Sequence, residues 1–169
     1  EKGIVDDAVK SASEYGKIFL ANDNADGQIV LSGEINAIEF ISENAKSLNI
    51  RRAIKLPVSA PFHCELMRNA ARILQVEINK INFNKFNADL YSNVTSIKCT
   101  ENEIAQLLID QVVSIVKWRE IMQNMIIDGY SKFIEIGPGN VLTNLIKRTS
   151  KNIHAFSISK IEDLEKLEK

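Results

Sequence analysis

The stretch Leu56 to Met67 reads LPVSAPFHCELM and sets His63 beside Cys64, just ahead of residues with helical spacing. A histidine near the first turn of a helix sits where the helix dipole disfavours the imidazolium. The neutral ring is the form a general base must hold before it takes a proton. Four uses are open for His63: a base, a metal ligand, a partner of Cys64, or a core histidine bonded to backbone. The last is the commonest for a lone histidine. Neighbouring residues on a helix project about 100° apart, so Cys64 is poorly placed to act with His63 and reads as a small buried hydrophobe.

Two other stretches carry polar groups in suggestive patterns. Asn22 to Gln28, NDNADGQ, gathers side-chain amides around a turn, which suits either a plain hairpin connection or a polar rim for a substrate carbonyl or carboxylate. Gly137 to Asn140, GPGN, precedes helical sequence and could present N–H groups to an anion, although glycines serve such strand-to-helix turns for steric reasons alone. No GxGxxG, GxxxxGK[ST] or GxSxG motif occurs, so the residues supply a candidate base without a nucleophile elbow.

Composition narrows the classes. With 169 residues, 45% hydrophobic and 25% charged, the chain can bury a substantial core as one domain or two small ones. A formal net charge of −1 removes the electrostatic case for nucleic acid, and Arg51-Arg52 and Lys147-Arg148 are only local basic spots. There is no apolar run of membrane-spanning length and no signal-peptide pattern, so no membrane partner is expected and a cytoplasmic location is the default. Cys64 and Cys99 form no CxxC and His154 is remote from His63, so no metal site is expected.

The elements that must position these residues follow from periodicity. Residues 4–15 have helical spacing, 17–32 read as a hairpin turning at Ala25-Asp26-Gly27, 34–48 return to helical spacing, and 52–58 read as a third strand. This α-β-β-α-β order is a ferredoxin-like unit without its first strand, which agrees with a chain that opens on Glu1 inside a domain. Beyond Pro61, helical spacing covers 63–79. A strand is expected at ADLYSNV, and Thr100 with Glu103 is a capping box opening a helix over 101–115. A helix from about Val116, a buried strand at KFIEI, a helix at VLTNLIKR, a strand at IHAFSIS and a short helix over 161–169 complete an α/β pattern.

Four segments in order, NDNADGQIVLSG, LPVSAPFHCELM, VKW with Gln111 before it, and EIGPGNVLTNLIKR, resemble the malonyl-CoA:acyl-carrier-protein transacylase family over almost the whole chain. The resemblance implies an α/β-hydrolase-like large subdomain with an inserted ferredoxin-like small one. Residues 1–58 would be the incomplete small subdomain, and 59–169 the C-terminal part of the large one. The implied reaction is a ping-pong transfer in which a GHSxG serine takes malonyl from malonyl-CoA and passes it to the phosphopantetheine thiol of acyl carrier protein.

By that resemblance His63 is the base and Gln111 the residue whose main-chain carbonyl orients it. Asn22 and Asn24 line the substrate cleft, Phe62 disfavours a branched acyl group, and Lys147 and Arg148 greet the acidic carrier protein. No permanently bound cofactor is implied, malonyl-CoA being substrate, and the intact enzyme would be a monomer. The GHSxG serine and the arginine that clamps the malonyl carboxylate are absent from the 169 residues, so the chain by itself is expected to be inactive. SIVKW replaces the family's usual Asn-Pro pair, which bears on the loop after Gln111. The alternatives are a non-catalytic chain that at most binds carrier protein, and an acyltransferase module of a polyketide synthase.

Overall fold

The computed structural model describes residues 2–150 and 152–168. Helix α1 (Lys2–Ala12) buries Ala8 and Ala12 completely, small side chains that let it lie close against its neighbours. Strands β1 (Ile18–Ala25) and β2 (Gln28–Gly33) form an antiparallel hairpin, and helix α2 (Ile35–Asn44) follows. Ala8, Ala12, Ile18, Ala37 and Ile41 make one core, with Leu31, Phe40 and Ile50 packed around it. The base of the hairpin admits only glycine at Gly33, where a Cβ would lie 2.4 Å from the Lys17 carbonyl oxygen.

The strand expected at 52–58 does not form. Residues 52–58 run without a ladder partner, and Ile54, Leu56 and Val58 are all exposed. Their alternation satisfies the strand period, but no neighbouring strand among the described residues accepts the hydrogen bonds. The hairpin with α1 and α2 is therefore what exists of the expected α-β-β-α-β unit.

After residue 64 a single 3₁₀ turn (Glu65–Met67) leads into α3 (Arg68–Ile78), which packs on α4 (Ile104–Asp110) through Ala71, Ile78 and Ile109. Helix α4 is shorter than the helix expected over 101–115. Only one half of the expected capping box forms: Glu103 accepts from the Thr100 N–H at 2.8 Å. The Thr100 hydroxyl donates to the same carboxylate at 2.7 Å instead of accepting the Glu103 N–H, and Glu103 itself is the N-cap of α4. Between α3 and α4, β3 (Leu90–Tyr91) and β4 (Lys98–Cys99) form a minimal antiparallel pair.

The last third is a βαβ unit preceded by a helix. Helix α5 (Trp118–Ile127) leads to β5 (Lys132–Ile136), α6 (Val141–Thr149) and β6 (His154–Ile158), and β5 and β6 pair in parallel from Lys132↔His154 to Ile136↔Ile158. Ile121, Met122, Ile146 and Ala155 form its core with Trp118, Met125 and Phe133. A short 3₁₀ helix (Ile161–Glu168) ends the described chain.

Strand β5 is not the buried strand its apolar sequence suggests. Ile136 is 83% exposed and Ile134 is also open, because among the described residues only one strand flanks β5 and one face carries no layer. Three separate two-stranded sheets and three small cores replace a single continuous one among those residues.

Candidate active site

His63 lies in the turn between residues 58 and 65, ahead of the 3₁₀ turn rather than on a helix. Its backbone is left-handed, with φ +59, an unusual conformation for a residue with a Cβ. Pro61 enters this turn, and Cys64, the N-cap of the 3₁₀ turn, is extended at φ −150. The abrupt change from left-handed to extended backbone turns the imidazole away from its sequence neighbour and toward the end of α4.

There His63 Nδ1 lies 3.0 Å from the main-chain oxygen of Gln111, the C-cap residue of α4. Carbonyls at a helix C-terminus lack intrahelical donors and carry the negative end of the dipole, so this oxygen is a strong acceptor. A carbonyl can only accept, so a neutral His63 making this contact carries its proton on Nδ1 and leaves the Nε2 lone pair free. The Gln111 side chain is held in turn, with Asn93 Nδ2 3.4 Å from Gln111 Oε1.

Cys64 takes no part in this contact. It is 2% exposed, its Sγ donates to the Pro61 carbonyl at 3.1 Å, and burial pushes its thiol pKa up. A buried thiol held protonated is a poor nucleophile. Phe62, by contrast, leaves nearly half its surface exposed beside His63.

Asn22 and Asn24 lie within β1 rather than in the turn, which is made by Asp26 and Gly27. The register slips twice, between Leu20 and Asn22 and between Asp23 and Ala25, leaving Ala21 and Asn24 as the extra residues of two bulges. The first bulge frees backbone groups that the loop after Gln111 uses. The Val116 N–H donates to the Ala21 carbonyl at 2.8 Å, and the Asp23 N–H donates to the Val116 carbonyl at 2.9 Å. Segment 111–116 therefore carries the acceptor for His63 at one end and a bridge to Asn22 at the other. This is the loop whose SIVKW sequence departs from the Asn-Pro pair, and Val116 is the residue that makes the bridge.

The basic pair at the end of α6 divides. Lys147 is exposed, whereas Arg148 reaches the hairpin turn, donating to Gln28 Oε1 at 2.5 Å and to the Asp26 carbonyl at 2.7 Å. Arg148 thus has a structural partner within the chain, as does Arg119, which bonds Asp23 at 2.6 Å.

The GPGN turn is already supplied with an anion. Glu135 on β5 accepts the Leu142 and Thr143 N–H groups at 3.1 and 2.8 Å and the Thr143 hydroxyl at 2.7 Å. Burial raises this carboxyl, but the Thr143 and Leu142 hydrogen bonds outweigh it and the net pKa is lowered. Asn140, the N-cap by position, makes no capping bond. Glu135 escaped the sequence reading because it sits on a strand five residues before the cap it replaces; the E-x-G-x-G-N spacing into a helix was its one trace. No cluster of metal-ligating side chains occurs among the described residues.

The arrangement is an α/β chain in which a main-chain carbonyl aims an imidazole and leaves its second nitrogen without a hydrogen bond among the described residues, a geometry suited to serving a nucleophile. No protein-family profile matches. The malonyl CoA-acyl carrier protein transacylase of Bacillus subtilis is 38% identical over 157 residues, 92% of this chain and 50% of that protein. The crystal structure of the Clostridium perfringens malonyl CoA-acyl carrier protein transacylase superposes with a TM-score of 0.89 at 42% identity, covering 96% of this chain and 52% of that one. A type II polyketide acyl-carrier protein in complex with its malonyl-transacylase gives 0.91 at 31% identity, covering 98% and 53%. The chain is thus related in sequence and fold to the malonyl CoA-acyl carrier protein transacylases, and it spans about half the length of the curated relatives it matches.

Proposed function

We propose that this chain is the base-bearing half of a malonyl-CoA:acyl-carrier-protein transacylase of fatty-acid biosynthesis. The observation that carries the proposal is the 3.0 Å contact between His63 Nδ1 and the Gln111 carbonyl, which leaves Nε2 to accept a proton. A serine Oγ attacks the malonyl thioester carbonyl while its proton passes to Nε2. The tetrahedral adduct then expels the coenzyme A thiolate, which takes that proton from His63. The carrier protein's phosphopantetheine thiol gives its proton to Nε2 and attacks the malonyl ester. The departing serine Oγ takes that proton back from His63, regenerating the free serine and neutral imidazole. The Gln111 carbonyl does the orienting work of a triad carboxylate without adding a buried charge.

The 169 residues contain no GxSxG, so in this reading the serine, its oxyanion hole and the carboxylate-clamping arginine lie outside them. Asn22 and Asn24 line the cleft, a role supported by the bridge that ties β1 to the Gln111 loop. Phe62 walls the acyl pocket and biases against an α-branch, an effect of about 1–3 kcal/mol for one methyl. Lys147 and Arg148, both exposed near the end of α6, meet the acidic carrier protein, with Arg148 also holding the hairpin turn. Residues 1–58 form the ferredoxin-like small subdomain and 59–169 part of the hydrolase-like large one, a division supported by the separate core around Ala8 and Ile41. The whole enzyme works as a cytoplasmic monomer with malonyl-CoA as substrate and no resident cofactor.

The test is steady-state transfer of labelled malonyl from coenzyme A to holo carrier protein. The 169-residue chain is expected to give no turnover, and the polypeptide that joins it to a GHSxG-bearing half is expected to give transfer. Turnover by the chain by itself, or none by the joined polypeptide when folded, would overturn the reading.

A further inference from the structure

Between β3 and β4 runs a six-residue connection, 92–97, with more internal support than an exposed loop of that length needs. Ser92 and Ser96 are both buried, Ser96 completely and with φ +66. The Ser96 N–H donates to the Ser92 carbonyl at 2.9 Å, the Ser92 N–H to the Ile97 carbonyl at 3.1 Å, and the Val94 N–H to Ser92 Oγ at 3.1 Å. From α5, Asn124 Nδ2 holds the Ser96 carbonyl at 2.8 Å. At the strand end of the loop, Lys98 pairs with Asp89 at 3.0 Å and Asp128 at 3.4 Å. This scaffold presents one side-chain amide inward: Asn93, against Gln111 Oε1.

We infer that Asn93 is a positioning residue for His63, holding the Gln111 side chain so that the Gln111 main-chain carbonyl stays aimed at Nδ1. The inference rests on the proposed role of His63 as base. Gln111 is the C-cap of α4 and its carbonyl has no intrahelical donor. Its backbone is held by the Gln111 N–H on the Leu107 carbonyl at 3.0 Å and the Val112 N–H on the Ile109 carbonyl at 3.3 Å, and Asn93 adds the side-chain tether. Restraining the side chain restrains the rotation of the whole residue. The Asn93 hydrogen bond is to the Gln111 side chain, so it acts through Gln111 on the tautomer and orientation of the ring, and hence on turnover more than on substrate binding.

The experiment uses the polypeptide that joins this chain to its GHSxG-bearing half, with Asn93→Ala and the isosteric Asn93→Asp. The carboxylate of the second variant can accept from a flipped Gln111 amide and so keeps the tether. Asn93→Ala is expected to lower kcat about fivefold, the worth of one neutral hydrogen bond, with KM within about twofold, and Asn93→Asp to recover most of the loss. The ¹⁵N signals of His63, assigned by their loss in His63→Ala, are expected to show less Nδ1-protonated tautomer in Asn93→Ala than in the parent. An unchanged tautomer ratio with kcat within about twofold of the parent would overturn the inference. Transfer that survives His63→Ala would instead overturn the role of His63, and the tautomer ratio would still decide whether Asn93 positions the ring.

Discussion

Asp23 and Arg119, 96 residues apart in sequence, meet with Oδ2 2.6 Å from Nη2 and join β1 to the first turn of α5. The other Asp23 oxygen, Oδ1, is buried with no hydrogen-bond partner among the described residues. Removing the guanidinium leaves a mostly buried carboxylate without its counter-charge, whereas removing both groups does not. Arg119→Ala is therefore expected to cost about 1–3 kcal/mol, and Asp23→Ala with Arg119→Ala less than the sum of the single changes. A double-mutant cycle by denaturant unfolding checks this, and strict additivity would show that the pair is not coupled.

The cap on α6 gives a pH prediction. Glu135 has its pKa lowered in the folded chain by the Thr143 and Leu142 hydrogen bonds, which outweigh burial. Its stabilisation is therefore complete above the ordinary carboxyl pKa and is lost as pH falls through the lower folded value. Glu135→Gln is expected to destabilise by about 1 kcal/mol at neutral pH, the usual worth of a helix cap. The deficit should shrink on acidification, measured by thermal unfolding across about pH 2–7. A deficit that grows toward low pH would contradict the assignment.

At the alkaline end, Tyr91 is pushed up to about 12, first by burial and then by its hydrogen bond to Asp128. Lys98, between Asp89 and Asp128 and 5.7 and 5.8 Å from the Tyr130 and Tyr91 rings, is raised chiefly by its bond to Asp89. Both raised groups contribute stability that is present below their ordinary values and lost as pH rises through the folded ones. Tyrosinate absorbance is expected to develop late, at about 12 for Tyr91, and Tyr91→Phe should remove that step. Full tyrosinate absorbance by about pH 10.5 with the chain still folded would show the cluster is not formed.

Cys64 should prove a packing residue. Its burial raises the thiol pKa, so alkylation of folded protein near neutral pH is expected to be slow and to accelerate on unfolding. Cys64→Ala removes the Sγ contact to the Pro61 carbonyl, expected to cost about 1 kcal/mol in stability. Rapid alkylation of the native chain would contradict this placement.

What the sequence disclosed depended on whether the cause was local. The helices α1, α2 and α6 and the hairpin were legible because amphipathic spacing and an Asp-Gly turn are local signals. The Thr100–Glu103 pairing was legible because both partners lie within one turn, although only the carboxylate half of the capping box forms. The strand at 52–58 failed because a ladder needs a neighbour, and the described residues supply none to Ile54, Leu56 and Val58. The open face of β5 went unread for the same reason. At the site, the residue type of His63 was visible, but its left-handed backbone, the reach to Gln111 and the Asn93 contact are long-range outcomes of packing. The contact of Arg148 with Gln28 likewise spans 120 residues.

The central claim is that His63 is the base of an acyl transfer. In the polypeptide that joins this chain to its GHSxG-bearing half, single-turnover formation of the malonyl-serine ester is the direct measurement. His63→Ala is expected to slow acylation by about 10³-fold or more, while Cys64→Ala stays within about threefold of the parent. Equal losses from the two changes, or an acylation rate untouched by His63→Ala, would contradict the account.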